Sequence, residues 1–391
     1  MERPKKKLCI VFAGGGTGGH IYPGIAVADE IKILSEKYGV EAAVHWIGNA
    51  QGMDASVVEN CLESRGGSIA AFHGIPCGKL RRYVSLQNLT DAFKILAGVV
   101  RSFFLLKKLR PDLLFSKGGF VSVPPCAAAR LLRIPYITHE CDCTPGLATR
   151  LNSSGASRIF ISYEETKSCF SRKMQEKCVV TGNPVRPVFY TDCSEKGRAF
   201  LGTGLHREKP VLLVVGGSMG SLQINSLIVE NLEQLKKSFA VVHQTGSRFA
   251  AEHPELLEAA DEDYRPYAFL HDEMPAVLQV CDIVVSRAGA NFLWECAVCA
   301  KPMILIPLCG QGTRGDQVDN AAYFAERGAA LVLHEDGSMK EQLFAALEKM
   351  KDSCTRKSFA ENCMRICGGK RPSETIASLM LGEISHDVSC H

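Results

Sequence analysis

The sequence carries no marked excess of charge of either sign. Its 45 Lys and Arg face 42 Asp and Glu, a formal net charge of +3, so no global field favours nucleic acid and none is expected as a partner. Long apolar runs are missing too. The best candidate, Ile95–Leu106, is interrupted by Arg101 and falls short of the ~20 residues that cross a bilayer. The opening MERPKKKLCIVFAGGG has lysines but no apolar h-region before its glycines, which argues against a secretory signal. Aromatics are sparse at 7%, yet hydrophobic residues reach 46% and charged ones 22%, the balance of a globular chain and not of a disordered one. Cysteine, by contrast, is plentiful: 17 residues, an odd number, scattered from Cys9 to Cys390. With no leader to export them, the thiols are expected to stay reduced in the cytoplasm.

At 391 residues the chain predicts two or three domains. A weak internal repeat favours two. LCIVFAGGGTGG (Leu8–Gly19) and VLLVVGGSMG (Val211–Gly220) are each an apolar run that ends in glycines and leads into a helix-compatible segment, Ile25–Leu34 and Ile224–Leu235. A strand covered on both faces shows no alternation, so each copy predicts a buried parallel strand, a tight loop and a helix. Further apolar strand candidates are Ala43–Ile47, Leu113–Ser116, Tyr136–His139 and Arg158–Ser162, then Ala240–Gln244, Ile283–Ser286, Met303–Pro307 and Ala330–Leu333. Strands alternating with helical spacing imply an α/β class with an open parallel sheet in each half. The junction is expected at GNPVRP, Gly182–Pro187, where two prolines exclude helix and central strand. Pro372–Glu383 reads as helix that returns across the junction, with a loose tail beyond Ser385. The expected domains are 1–184, 185–365 and a returning helix over 366–385.

Gly14, Gly16 and Gly19 satisfy G-x-G-x-x-G, the dinucleotide fingerprint. A dehydrogenase would also carry an acid at the tip of the second strand to hold a ribose, and here Ala43–Ile47 is followed by Gly48 and Asn49. What remains is the general chemistry: glycines admit close approach of backbone to a ligand, and a helix N-terminus attracts phosphate. The alternative is that both loops are only tight strand–helix turns; taken alone, the second loop is equally compatible with that. His20 follows the first loop directly and is placed to take a proton from an attacking hydroxyl, although a lone histidine is more often structural.

AGGGTGGHIYPG (Ala13–Gly24) resembles the opening loop of the MurG family, bacterial glycosyltransferases that make lipid II by moving N-acetylglucosamine from UDP-GlcNAc onto lipid I. Similar motifs follow in the same order: KGGFVSVPP (Lys117–Pro125), His139-Glu140, GNPVR (Gly182–Arg186), GGSMGS (Gly216–Ser221), SRAGA (Ser286–Ala290) and DQVDNA (Asp316–Ala321). They extend from about residue 8 to about residue 380. The resemblance implies the GT-B fold, two Rossmann-like domains with parallel sheets and an interdomain cleft, the C-terminal domain holding most of the donor. It makes His20 a candidate base for the acceptor's 4-hydroxyl in a single inverting displacement. Thr17, Gly18 and Gly19 match the loop that faces the donor pyrophosphate and the acceptor, Arg186 a donor-binding arginine, and Ser218 a diphosphate-binding serine. Glu295 matches the acid on the uridine ribose, Gln317 the glutamine that reads the sugar hydroxyls, and His271, more loosely, a residue near uracil. After His139-Glu140, where many members have Gln-Asn, this chain has Cys141-Asp142.

No cofactor is expected, and no metal. Cys296-x-x-Cys299 lacks a second pair or a histidine at zinc spacing. Asp261-Glu262-Asp263 lies in a polar loop with no preceding strand, and GT-B enzymes generally handle UDP without a bound metal. The lipid I acceptor implies contact with an anionic membrane surface, on the cytoplasmic face of the inner membrane. Between His73 and Arg110 eight cations (Lys79, Arg81, Arg82, Lys94, Arg101, Lys107, Lys108, Arg110) face one acid, Asp91, with Leu80, Val84, Leu86, Phe93, Phe103 and Phe104 among them. Such mixing suits interfacial binding; for residues 91–108 an inward-packed amphipathic helix is equally compatible, whereas Lys79–Leu86 favours the membrane. Alternatives to the transferase are another GT-B enzyme (a lipid glucosyltransferase or a UDP-GlcNAc 2-epimerase), a non-catalytic nucleotide-sugar sensor and, least, an oxidoreductase.

Overall fold

The computed structural model describes residues 7–78, 86–202, 208–217, 220–310, 313–335 and 338–389, with backbone alone at 86–89 and 385–389. The chain divides into two compact units, Met1–Pro187 with Arg371–His391, and Val188–Lys370.

In the first unit β1 (Leu8–Gly14), β2 (Ala42–Asn49), β3 (Ala71–Ile75), β4 (Leu113–Gly118), β5 (Tyr136–Glu140), β6 (Arg158–Ile161) and β7 (Cys178–Val180) form one sheet in the order β3-β2-β1-β4-β5-β6-β7. Every pairing in it is parallel. Along β1, Leu8, Ile10 and Phe12 enter one core layer with α1 (Gly18–Tyr38), while Val11 and Ala13 enter another on the opposite face. That two-sided burial explains why β1 reads as a continuous apolar run. The helix Pro372–Ser389 belongs to this unit: Ile376, Ala377, Met380 and Ile384, at helical spacing, bury against α1. The helix runs to Ser389, past the point where the sequence suggested a loose tail.

The second unit repeats the plan with β8 (Val211–Val215), β9 (Ala240–Gln244), β10 (Tyr264–Tyr267), β11 (Ile283–Ser286), β12 (Met303–Leu305) and β13 (Ala330–Val332), ordered β10-β9-β8-β11-β12-β13 and again parallel. Strand order reverses between β1 and β4 in one sheet and between β8 and β11 in the other, the switch points at whose carboxyl ends open α/β sheets bind ligands. Each switch is bolted alike. Asp112 Oδ2 accepts the Cys9 N–H at 2.9 Å and Asp282 Oδ2 the Val211 N–H at 2.8 Å. The aspartates' own N–H groups return to the Cys9 and Val211 carbonyls.

Three strands escaped the sequence: β3, β7 and β10. All lie at sheet edges, where burial is incomplete; glycine and histidine interrupt β3, Pro266 interrupts β10 (YRPY), and β7 is only three residues long, CVV. The helix expected over Ile224–Leu235 is two, Leu222–Glu230 and Leu232–Lys236. Asn231 separates them, its side-chain amide donating to the Leu227 carbonyl at 2.8 Å.

Candidate active site

The loop after β1 is shaped by what presses on it. Trp46 of β2 donates its indole N–H to the Gly14 carbonyl at 3.0 Å. Gly16 has φ +83°, and a Cβ there would lie 2.4 Å from the Phe120 ring, so only glycine fits. Thr17 then caps α1 by position but not by side chain, leaving its exposed hydroxyl outside the helix bonds. Gly18 and Gly19 form the first helical positions and His20 the third. The His20 ring rests on Gly118 and Gly119, with Nδ1 3.3 Å from the Lys117 carbonyl. A carbonyl can only accept, so Nδ1 carries the hydrogen and Nε2 keeps its lone pair. That is the tautomer of a general base.

Behind His20 lies a buried polar chain. Lys117, 1% exposed, places Nζ 3.1 Å from His139 Nδ1, and His139 Nε2 is 3.1 Å from the Gly182 carbonyl. Burial first, then the Lys117 ammonium, holds His139 well below the usual histidine range. The neutral ring therefore accepts at Nδ1 and donates at Nε2. Glu140 next to it staples the following turn: Oε1 accepts the Cys141 and Asp142 N–H groups at 3.0 and 3.1 Å, and Oε2 that of Gly146 at 3.0 Å. Glu140, Cys141 and Asp142 also form the one group of three metal-capable side chains brought together among the described residues. Three N–H groups already converge on the Glu140 carboxylate. Arg186 lies in the first unit, its guanidinium 5.7 Å from the centre of the Tyr22 ring on α1, within cation–π reach.

In the second unit the loop after β8 is described at Gly216, Gly217 and Gly220; Ser218 lies outside the described residues. Ser221 caps Leu222–Glu230 through its Oγ, which accepts the Ile224 N–H. The same Oγ accepts from Arg287 Nη2 at 2.9 Å, as does Gln223 Oε1. Arg287 Nη1 reaches the Ile306 carbonyl at 3.0 Å and forms a close ion pair with Glu335. One guanidinium thus ties the ends of β8, β11 and β12 together. Glu295, half-buried on the helix Ala290–Val298, follows β11, and Gln317 opens the helix Asp316–Glu326, its Oε1 accepting the Leu308 N–H at 2.9 Å. His271 is exposed, its ring 4.3 Å from that of Phe269. Thr17, Gly18, Gly19, His20 and Arg186 therefore lie in one unit, and Glu295 and Gln317 in the other. Asp261 and Asp263 each hold a lysine instead, Lys236 at 2.5 Å and Lys209 at 2.6 Å.

Sequence reasoning passed over Lys117 and Arg287 as individuals, although a signal was present. Asp112-x-x-x-Ser116-Lys117 and Asp282-x-x-x-Ser286-Arg287 are the same pattern on equivalent strands. The copies differ in charge balance. Arg287 faces the Glu335 carboxylate, whereas among the described residues the one hydrogen-bond partner of the Lys117 ammonium is a neutral imidazole.

The second loop is backed by another buried histidine. His243 Nδ1 is 3.1 Å from the Tyr264 hydroxyl and Nε2 3.2 Å from Asn225 Oδ1, and Asn225 donates to the Thr245 carbonyl at 2.7 Å. Burial lowers the His243 pKa to about 3. The unfolded chain takes up this proton from pH ~6.5 downward while the folded one refuses it, so stability falls as pH drops below ~6.5 and continues to fall toward pH 3. At pH 5 His243 alone should remove about 2 kcal/mol relative to neutral pH. Urea unfolding at pH 7 and pH 5 measures this; His243→Gln should flatten the dependence, and equal slopes would remove His243 as its source.

A model of the glycosyltransferase family 28 N-terminal domain matches residues 10–161, and one of the family 28 C-terminal domain matches residues 211–365. The two parallel sheets, each with a glycine loop at its switch point, therefore define a GT-B glycosyltransferase. The chain is 50% identical over 333 residues, 83% of each chain, to the UDP-N-acetylglucosamine–N-acetylmuramyl-(pentapeptide) pyrophosphoryl-undecaprenol N-acetylglucosamine transferase of Treponema denticola, and it belongs to that family, MurG. Acinetobacter baumannii MurG superposes with a TM-score of 0.68 at 23% identity, over 97% of this chain and 100% of that one. A UDP-GlcNAc 2-epimerase from Neisseria meningitidis, bound to UDP-GlcNAc, superposes with a TM-score of 0.67 at 16% identity, over 96% and 100%. At these identities both describe the fold.

Proposed function

We propose that this protein transfers N-acetylglucosamine from UDP-GlcNAc to the 4-hydroxyl of the MurNAc of lipid I, with inversion, giving lipid II. The observation that carries the reading is His20, seated at the start of α1 with Nδ1–H bonded to a carbonyl and Nε2 left as acceptor. Nε2 takes the hydroxyl proton as that oxygen attacks the anomeric carbon, the bond from carbon to the phosphate oxygen breaks, and UDP leaves with the electron pair. The N-terminus of Leu222–Glu230, with Ser218, suits the charge growing on the diphosphate, and Arg186 supplies a guanidinium for it. Glu295 accepts from the ribose hydroxyls. Gln317, whose carbonyl oxygen is occupied by Leu308, turns its amide N–H groups to the sugar. Thr17, Gly18 and Gly19 face the donor pyrophosphate and the acceptor.

Transfer of labelled GlcNAc from UDP-GlcNAc to a lipid I analogue, with EDTA present and UDP-glucose competing, tests this. EDTA-insensitive transfer selective for GlcNAc is expected. Binding of UDP-GlcNAc without transfer would point to the epimerase chemistry instead.

Membrane contact is part of the same proposal. Of Lys79–Leu86, the stronger candidate in the sequence, residues 79–85 lie outside the described residues. The helix after it, α3 (Leu86–Leu109), buries Leu106 in the core yet exposes Phe93 (67%), Leu96 (60%), Val100 (50%) and Phe104 (65%) in one stripe. Lys94, Arg101, Lys107 and Lys108 are exposed on the same helix. An apolar stripe edged by cations fits an anionic lipid surface. No helix among the described residues is long and apolar enough to cross a membrane; the contact proposed is peripheral. Phe93→Ser with Phe104→Ser should weaken binding to vesicles containing phosphatidylglycerol about tenfold or more, read by co-sedimentation, with transfer to a water-soluble acceptor unaffected; full retention on vesicles would remove the stripe from the interface.

A further inference from the structure

A carboxylate that the transfer chemistry does not use holds the first glycine loop from behind. We infer that Asp54 is the positioning residue of that loop, orienting the Gly15–Gly16 peptide beside which the His20 ring sits; its link to catalysis rests on His20 being the base. Asp54 opens α2 (Asp54–Glu59) and is fully buried. Its Oδ1 accepts the Gly16 N–H at 2.9 Å and its Oδ2 the Asn49 N–H at 2.8 Å. These two N–H groups belong to the loops that leave β1 and β2, so one side chain joins both at the ligand end of the sheet.

The surrounding sequence is cut to fit it. A Cβ on Gly15 would sit 1.8 Å from Asp54 Oδ2, one on Gly48 3.1 Å from Asp54 Cβ, and one on Gly52 3.3 Å from Asp54 Oδ1. The far side of the same peptide and the His20 ring border one point. The Gly15 carbonyl oxygen lies 2.7 Å, and His20 Cδ2 2.8 Å, from the single point that a Cβ on Gly119 would occupy. The peptide is thus gripped at its N–H by Asp54, while its carbonyl and the imidazole edge share one packing surface. Without the carboxylate, glycine on either side lets the plane rotate at small cost, and the surface beside His20 changes. A buried carboxylate deprived of donors is itself unfavourable, so Asp54 and the loop each require the other's geometry. Gly16 N–H, committed to Asp54, is also withdrawn from any anionic substrate.

Asp54→Asn keeps the shape but offers one acceptor to two donors. It should lower kcat about 10- to 100-fold, the effect of a small displacement of a catalytic group. The calorimetric affinity for UDP-GlcNAc, held by the other unit in our reading, should stay within about twofold. Gly15→Ala, which displaces the carboxylate from the opposite side, should do the same. A second measurement does not depend on turnover: in protein labelled with 15N-histidine, the His20 resonance, assigned by its loss in His20→Gln, should report an Nδ1–H ring in the parent protein and an altered or averaged ring in Asp54→Asn. Wild-type kcat with an unchanged His20 resonance would overturn the inference. So would a loss of kcat matched by an equal loss of donor affinity and of circular dichroism, which marks a merely structural role. If Asp54→Asn does not fold, the same measurements on Asp54→Glu decide. If the parent protein transfers no sugar yet the His20 resonance moves on substitution, the positioning stands and the transfer reading fails.

Discussion

Replacement of His20 by alanine should reduce GlcNAc transfer about 100- to 10,000-fold, the range for losing a positioned general base, while UDP-GlcNAc still binds. The expectation follows from placement. His20 is the third residue of α1, and its side chain contacts the glycines at the end of β4, outside the hydrophobic layers of the unit. Truncation therefore removes the ring with its hydrogen bond to the Lys117 carbonyl, without opening a core cavity. The donor-binding candidates Glu295 and Gln317 belong to the other unit and keep their surroundings. His20→Ala with unchanged melting behaviour, unchanged donor affinity and a collapse of kcat fits a base. Turnover within a few-fold of the parent protein would transfer that role elsewhere. His20→Gln separates proton transfer from packing, since an amide fills much of the space but has no basic nitrogen.

The second large effect is expected at Arg287. Its guanidinium makes bonds to Ser221, Gln223, Ile306 and Glu335, and both members of the Arg287–Glu335 pair are largely shielded. Arg287→Met leaves the Glu335 carboxylate without its counter-charge, and breaking such a pair from one side costs about 3 kcal/mol. It also frees Ser221, which caps the helix that follows the second loop. Loss of stability in the second unit and of UDP-GlcNAc affinity should therefore appear together. The double variant Arg287→Met with Glu335→Leu restores an uncharged pair and should recover much of the stability without the affinity, because the loop remains untethered. Hydrogen exchange on peptides of β8, β11 and β12 reads the first quantity and calorimetry the second. Full recovery of affinity in the double variant would mean that the guanidinium holds the fold only. Arg287→Lys is no conservative change here, as an ammonium cannot serve four acceptors in a fixed fork.

Much of this was legible in residues alone. The strands at the centre of both sheets announced themselves because burial on two faces demands unbroken apolar runs, and the glycines after β1 and β8 marked the turns because backbone there must bend tightly beneath a helix. The edge strands β3 and β10 were not legible, since a half-covered strand tolerates Gly74, His73 or Pro266, and β7 was not because its three residues, Cys178–Val180, are too short a run to stand out. His20 could be singled out from its place after GGTGG, but its tautomer could not. That depends on the Lys117 carbonyl, 97 residues further along the chain.

By itself, then, the sequence determined the α/β class, the repeat of two units, the glycine loops and the family, because periodicity, glycine spacing and motif order are local properties of the chain. Only the tertiary structure decided which charges meet: Asp54 beneath Gly16, Lys117 against a neutral His139, Arg287 against Glu335, and Arg186 above Tyr22. The physical reason is distance. A hydrogen bond or ion pair acts over about 3 Å, and residues 22, 38, 48 and 164 positions apart in sequence reach that range or, for Arg186 and Tyr22, cation–π contact only when strand order brings their loops to one end of a sheet.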